Sequence, residues 1–252
     1  MKTLIPNQFH FRFAIPCKRS ATLKVGEPLG AKFFVPCMGN MDEQREIADL
    51  RMAWSDAGLL IDWYVSDKKE AIYGEAERPN ACDGLTLWLD TRDARTIHRA
   101  TRYCHQFFLL AHSGDEKGMP KIVQSPIHRA QENAPNADLK KIKLERRGLD
   151  KEGKPAVETS RAAVKSYWMQ VFFPAGTLNG FDPDVNSRLG FAARLRDREK
   201  GDQLWAPGPE FPYWEDPSLW SVLELGKCSR LSGGRFDHLM QLVDGLVSSN
   251  AL

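Results

Sequence analysis

The nine residues Cys82-Asp83-Gly84-Leu85-Thr86-Leu87-Trp88-Leu89-Asp90 decide the fold class. Successive side chains of an extended chain point to opposite faces, so Leu85, Leu87 and Leu89 share one side and Thr86, Trp88 and Asp90 the other. Three leucines on one side predict a strand with a buried inner face. A threonine and an indole on the other leave an outer face for a second packing layer or a ligand.

The same period of two continues in both directions. Upstream, Gly58 to Val65 sets Leu59, Ile61 and Trp63 against Leu60, Asp62 and Tyr64. Downstream, Arg102 to Ala111 reads as a strand. In Tyr167 to Phe173 the residues Tyr167, Met169, Val171 and Phe173 share a side, and Pro174, with no N–H to donate, ends the ladder. Leu189 to Leu195 and Ser221 to Leu225 supply two more short strands. Residues 113–161, rich in Lys, Arg, Asn and Pro, read as a long solvated insertion carrying a strand or hairpin near Ile142-Lys143-Leu144. The charge run from Lys140-Lys141 to Arg146-Arg147 reads as an exposed edge, where Lys discourages edge-to-edge pairing. The best helical pattern, Phe236 to Val247, lies in a tail over 229–252. The expected architecture is all-β: one domain over residues 1–228, an antiparallel two-sheet β-sandwich of jelly-roll type with little helix.

Composition limits what the domain does. A chain of 252 residues with 42% hydrophobic side chains supports a substantial core. Thirty-five basic against 33 acidic residues leave +2, too little for a surface that tracks phosphates, so nucleic acid is excluded as a partner. Apolar runs fall far short of the roughly 20 residues that cross a bilayer. Asn7, Gln8, His10 and Arg12 interrupt any signal-peptide core, and the 5 cysteines form no CxxC pair. Reduced thiols and a cytoplasmic location are the expectation.

Five segments in order carry a resemblance: Trp54 to Asp67, Cys82 to Asp90, Tyr167 to Pro174, Leu189-Gly190-Phe191 followed by Asp197, and Tyr213-Trp214-Glu215-Asp216-Pro217-Ser218-Leu219-Trp220 leading into Leu223-Glu224-Leu225. Over residues 54–225, with the first fifty residues an N-terminal extension, the chain resembles the family 9 carbohydrate-binding modules and the wider DOMON-like group. That resemblance implies a sandwich that holds a terminal sugar between two tryptophans and fixes its hydroxyls with a Glu, an Arg and amides. Trp214 matches the second tryptophan. The first falls at Asn80, the glutamate at Thr86, and the arginine and an asparagine at Phe108 and Leu110. A register slip of one residue would bring Gln106 or Phe107 into play instead.

With the leucines inward, Thr86 and Trp88 are expected on an outer face together with Trp168, Gln170, Phe172, Arg194 and Arg196. Such an aromatic and basic surface suits a saccharide, or another aromatic or anionic small molecule, because indoles stack and guanidinium forks hydrogen-bond. The candidate contacts are Trp214, Trp88, Trp168, Gln170, Arg194 and Asn80. A structural or protein-interaction sandwich is the alternative, its face covered by the apolar runs Phe9 to Phe13 and Lys32 to Val35. A third reading, from haem-binding DOMON relatives, would use Met169 and His105 as the axial pair.

No catalytic or metal centre is expected. His98, His105 and His112 stand seven apart, so neighbours alternate faces. Asp182-x-Asp184-x-Asn186 opens like a calcium loop, but Ser187 and Ala193 replace the glycine and glutamate that such a loop needs, and an Asx turn is expected. A structural calcium is implied by the resemblance, without an identifiable oxygen cage, and no cofactor is assigned. GxSxG, HExxH and Walker patterns are absent, and Asp83 and Asp90 face opposite ways.

Overall fold

The computed structural model describes residues 14–37, 39, 44–149, 153–155 and 166–226. Among them the secondary structure is β with a few 3-10 turns. The strands are β1 (Ala14–Arg19), β2 (Asp49–Ser55), β3 (Gly58–Val65), β4 (Gly84–Asp90), β5 (Cys104–Leu110) and β6 (Lys121–Gln124). They continue with β7 (Lys143–Gly148), β8 (Tyr167–Pro174), β9 (Arg188–Asp197), β10 (Gly201–Trp205) and β11 (Ser221–Gly226). Hydrogen bonds join them in the order β6-β5-β4-β9-β11-β1-β2-β3-β8-β7. The free edge of β9 is shared, its start by β11 and its end by β10.

The alternation in β4 has the predicted parity. Leu85, Leu87 and Leu89 enter one core with Leu59, Ile61 and Trp63 of β3 and Tyr167, Met169, Val171 and Phe173 of β8. Across that core the Phe107 ring of β5 meets Phe173 of β8 at 4.9 Å between centroids. The β4–β5 and β3–β8 portions therefore face each other with their outer sides pointing apart. Gly84 opens β4 at φ +149°, and a Cβ there would lie 2.3 Å from the Leu109 carbonyl oxygen, so only glycine allows strands this close.

Two expectations need correction. The layers are not separate sheets, because the hydrogen-bonded path runs unbroken through β11, β1 and β2. Nor is the sheet wholly antiparallel, since β1 pairs in parallel with both β11 and β2. The path is nearly closed and barrel-like. At its two ends, the Arg146 guanidinium on β7 donates to the carbonyls of Ala111 at 2.7 Å and Gly118 at 2.9 Å, beside β5 and β6. The insertion thus supplies two strands to opposite edges, β6 against β5 and β7 against β8, rather than one detached hairpin. Its connecting stretch contributes Ala137, Leu139 and Ile142 to the core.

The outer side of β3 and β8 is covered. Leu29 and Phe33, from the segment after β1, pack on Ala53 and Leu60, with Phe172 beside them. Lys32 to Val35 does not form a strand. Ala31–Phe33 is a 3-10 turn, and Phe34 makes an isolated bridge to Arg51. The helix expected over Phe236 to Val247 and the run Phe9 to Phe13 lie outside the described residues.

Polar anchors hold this cover. Gln170 accepts from the Gly26 N–H at 2.7 Å and donates to the Glu27 carbonyl at 2.8 Å, while Asp62 accepts from the Leu29 N–H at 2.6 Å. Burial raises the Asp62 pKa from 3.8 to about 6, against the lowering effect of the Leu29 N–H. A group raised in the folded state contributes stability that is complete below its unfolded value and lost as pH climbs through its folded one. The wild type is therefore expected to gain stability over Asp62→Asn as pH falls from 7 to 4. Chemical denaturation of both proteins across that range checks it, and a pH-independent difference would contradict the assignment.

At the start of β4, Lys68 is fully enclosed between Asp83, at 3.1 Å, and Asp197. Burial opposes its charge, yet the two carboxylates outweigh that and raise its pKa. Backbone N–H groups complete both acids: Tyr73 and Arg198 on Asp83, Glu199 and Lys200 on Asp197. Lys68→Met would leave two buried carboxylates without their cation. A loss of about 3–5 kcal/mol in urea unfolding is expected.

Candidate functional site

The open outer side of β4, β5 and β9 holds a groove of about 440 Å³. That volume lies within the range of small-ligand pockets. Register builds its floor. Trp88 on β4 pairs with Gln106 on β5, Thr86 pairs with Phe108, and Thr86 pairs on its other side with Arg194 of β9. One wall is Pro79 and Asn80 before β4, another is Ser125, Pro126 and His128 from the insertion, and the rim carries Tyr213 and Trp214.

Trp214 is 43% exposed, whereas the other six tryptophans are buried. Its segment is fixed from both sides. The Asp216 carboxylate accepts from the Ser218 N–H at 2.9 Å and caps the 3-10 turn Pro217–Leu219. The Trp220 indole donates to the Tyr213 carbonyl at 2.6 Å. Glu215 binds the His128 imidazole at 2.6 Å, tying the rim to the insertion. Edge-to-face contacts run from Trp88 to Tyr213 (5.5 Å) and from Tyr213 to Trp214 (5.6 Å), so the outermost ring rests on a buried aromatic stack.

Arg196 donates to the Asn80 carbonyl at 2.6 Å and pairs with Asp202 at 3.4 Å. Arg194 reaches the carbonyl and side-chain oxygens of Asn80 at 3.4 and 3.3 Å. The Tyr213 pKa is raised, mainly by burial, with Arg194 acting in the opposite sense. Trp88 Nε1 and Arg194 Nε are buried without an acceptor among the described residues.

Four of the six predicted contacts, Asn80, Trp88, Arg194 and Trp214, meet in this groove. Trp88 lies in its floor at 2% exposure, within a cluster that includes Tyr213, Trp220 and Ile127. Trp168 and Gln170 are not part of it. They lie buried on the outer side of β8, Gln170 bonded to Gly26 and Glu27 and Trp168 beneath the Arg147 guanidinium, because a strand facing β4 across the core turns its outward residues the other way. Tyr213, Phe108 and His128 were not singled out as contacts, and Gln106 entered only through a register slip. Phe108 and Gln106 share the parity of Trp88 through the β4–β5 pairing, a signal present in the sequence. No local pattern placed His128 beside Trp214.

The Met169–His105 pair has no haem geometry. Met169 is enclosed in the core, and His105 stacks on Phe107 with Nε2 at 3.4 Å from the Asn179 carbonyl, its pKa lowered by burial to about 4. Asp182 accepts from the Asp184 and Val185 N–H groups, which is the expected Asx turn. Among the described residues no cluster of three His, Cys, Asp or Glu could hold a metal. Asp90 turns its carboxylate to the Arg92 and Ala94 N–H groups, apart from Asp83.

Known structures share this architecture. A family 9 carbohydrate-binding module from Caldicellulosiruptor kristjanssonii, solved with glucose, superposes with a TM-score of 0.54 at 11% identity, over 88% of this chain and 100% of its own. The same organism's family 9 module with cellotriose gives 0.53 at 12% identity, over 88% and 98%. The fold is therefore like that of family 9 modules. No family model and no curated protein matches the sequence.

Exposure separates the tryptophans experimentally. An indole-oxidising reagent is expected to modify one of the seven rapidly, and Trp214→Phe should abolish that fast phase. Rapid modification persisting in the variant would place another indole at the surface.

Proposed function

We propose that this chain is a non-catalytic carbohydrate-binding domain whose ligand groove opens beside Trp214 on the outer side of the nearly closed sheet. The single observation that carries the reading is an exposed indole at the rim of a concave, polar-walled groove. A pyranose presents apolar C–H faces and a polar edge, so it needs a flat aromatic surface and a few placed donors and acceptors. Trp214 supplies the first. Asn80, Gln106 and Arg194 supply the second, and buried Trp88 and Tyr213 keep the platform from tilting. Two solved structures of like fold carry glucose and cellotriose, which supports a saccharide as ligand class.

The buried free thiols Cys17, Cys37, Cys82 and Cys104 accord with a reducing, cytoplasmic setting. Burial pushes the Cys104 thiol up to about 12, which makes it inert rather than nucleophilic.

Glycan arrays followed by calorimetric titration test the reading. The wild type is expected to retain at least one class of saccharide, and Trp214→Ala should weaken that binding by about tenfold or more with unchanged thermal unfolding. Equal binding by the variant, or no saccharide bound by either protein, would remove the proposal.

A further inference from the structure

The groove's hydrogen-bonding groups are unbalanced, and this points to a particular class of sugar. The neighbouring guanidinium groups have acidic partners: Arg196 pairs with Asp202, and Arg129 with Glu215, which also holds the His128 ring. Arg194 differs. Its protein partners among the described residues are the two neutral oxygens of Asn80, both beyond 3.2 Å, and the side chain of Tyr213, and no ion pair joins it to a carboxylate there. Its Nε–H is buried and unpartnered, as is Nε1–H of Trp88, which is 2% exposed and lines the same groove.

These two residues are close by register. Arg194 lies opposite Thr86 and Trp88 opposite Ala192, so they are diagonal neighbours on one face of adjacent strands. Buried donors without acceptors are costly, and the cost is larger when the donor is charged. A sugar hydroxyl supplies one oxygen that must also dispose of its own proton. A carboxylate supplies two oxygens that only accept, in the spacing a guanidinium fork matches.

We infer that the groove binds an acidic saccharide, with the carboxylate of a uronic acid on Arg194 and its ring against Trp214. This rests on the carbohydrate reading above and narrows its ligand class. The charge partner that the fold gives to Arg196 and Arg129 is in this view carried by the ligand.

The test compares each uronate with its neutral parent on the full chain by calorimetry: glucuronate with glucose, galacturonate with galactose and mannuronate with mannose, as monomers and short oligomers, with acetate as the simple anion. At least one uronate is expected to bind about tenfold more tightly than its parent. That preference should fall as salt is raised, and in Arg194→Gln it should shrink to parity, the uronate losing more affinity than its neutral parent. The wild-type ratio alone decides the matter if the variant fails to fold. Neutral sugars binding as well as or better than every uronate would overturn this inference and leave the carbohydrate reading standing. Acetate binding as tightly as a uronate, or no binding by any saccharide, would overturn both.

Discussion

Alternation along β4 is the constraint from which the rest follows. A strand of seven residues cannot send Leu85, Leu87 and Leu89 to the core without sending Thr86 and Trp88 outward. Its neighbours are bound to it residue by residue, so Gln106 and Phe108 of β5 and Arg194 of β9 inherit the outward direction. The groove floor is thus a consequence of core formation. Its chemistry is whatever the sequence places at those forced positions.

The two outer sides obey one rule and meet different fates. On β3 and β8 the outward residues Leu60, Asp62 and Gln170 lie under the segment that follows β1. Gln170 and Asp62 take over its backbone N–H groups, as a buried loop requires. On β4, β5 and β9 the outward Trp88 and Ala192 are also buried, by the segments that carry Ile127, Tyr213 and Trp220, but a groove stays open beside them. The rim segment around Trp214 leans over it and is tied down at both ends, by the Asp216 cap and by Glu215 to His128. The segment after β1 therefore covers one side of this molecule, and the groove lies on the other.

Closure of the sheet explains how an insertion comes to line a site. Its first strand extends β5 and its last extends β8, so the chain between them spans the gap at the two free edges. Arg146 bridges that gap with two carbonyl contacts. Crossing there carries Ser125, Pro126 and His128 past the outer face of β5, where they become a wall of the groove. The charge run ending in Arg146-Arg147 is accordingly part edge strand and part fastening, because Arg146 turns to the opposite edge while Arg147 pairs with Glu145.

The sequence by itself determined the strand class, the inward parity of β3, β4 and β8, and the prominence of Trp214, because period-two patterning and short turn motifs are local properties. It left β1, β2, β6 and β10 unread, since their burial comes from partners distant in the chain. It also grouped Trp168 with Trp88. Both are outward residues of their strands, and parity says which residues share a strand face but not which way that face points in space. Only tertiary structure decided that β8 lies across the core from β4, and that His128 stands 87 positions from Glu215 yet 2.6 Å from its carboxylate. The physical reason is that a site assembled across a sheet depends on strand order and closure, and these follow from long-range packing that no local pattern encodes.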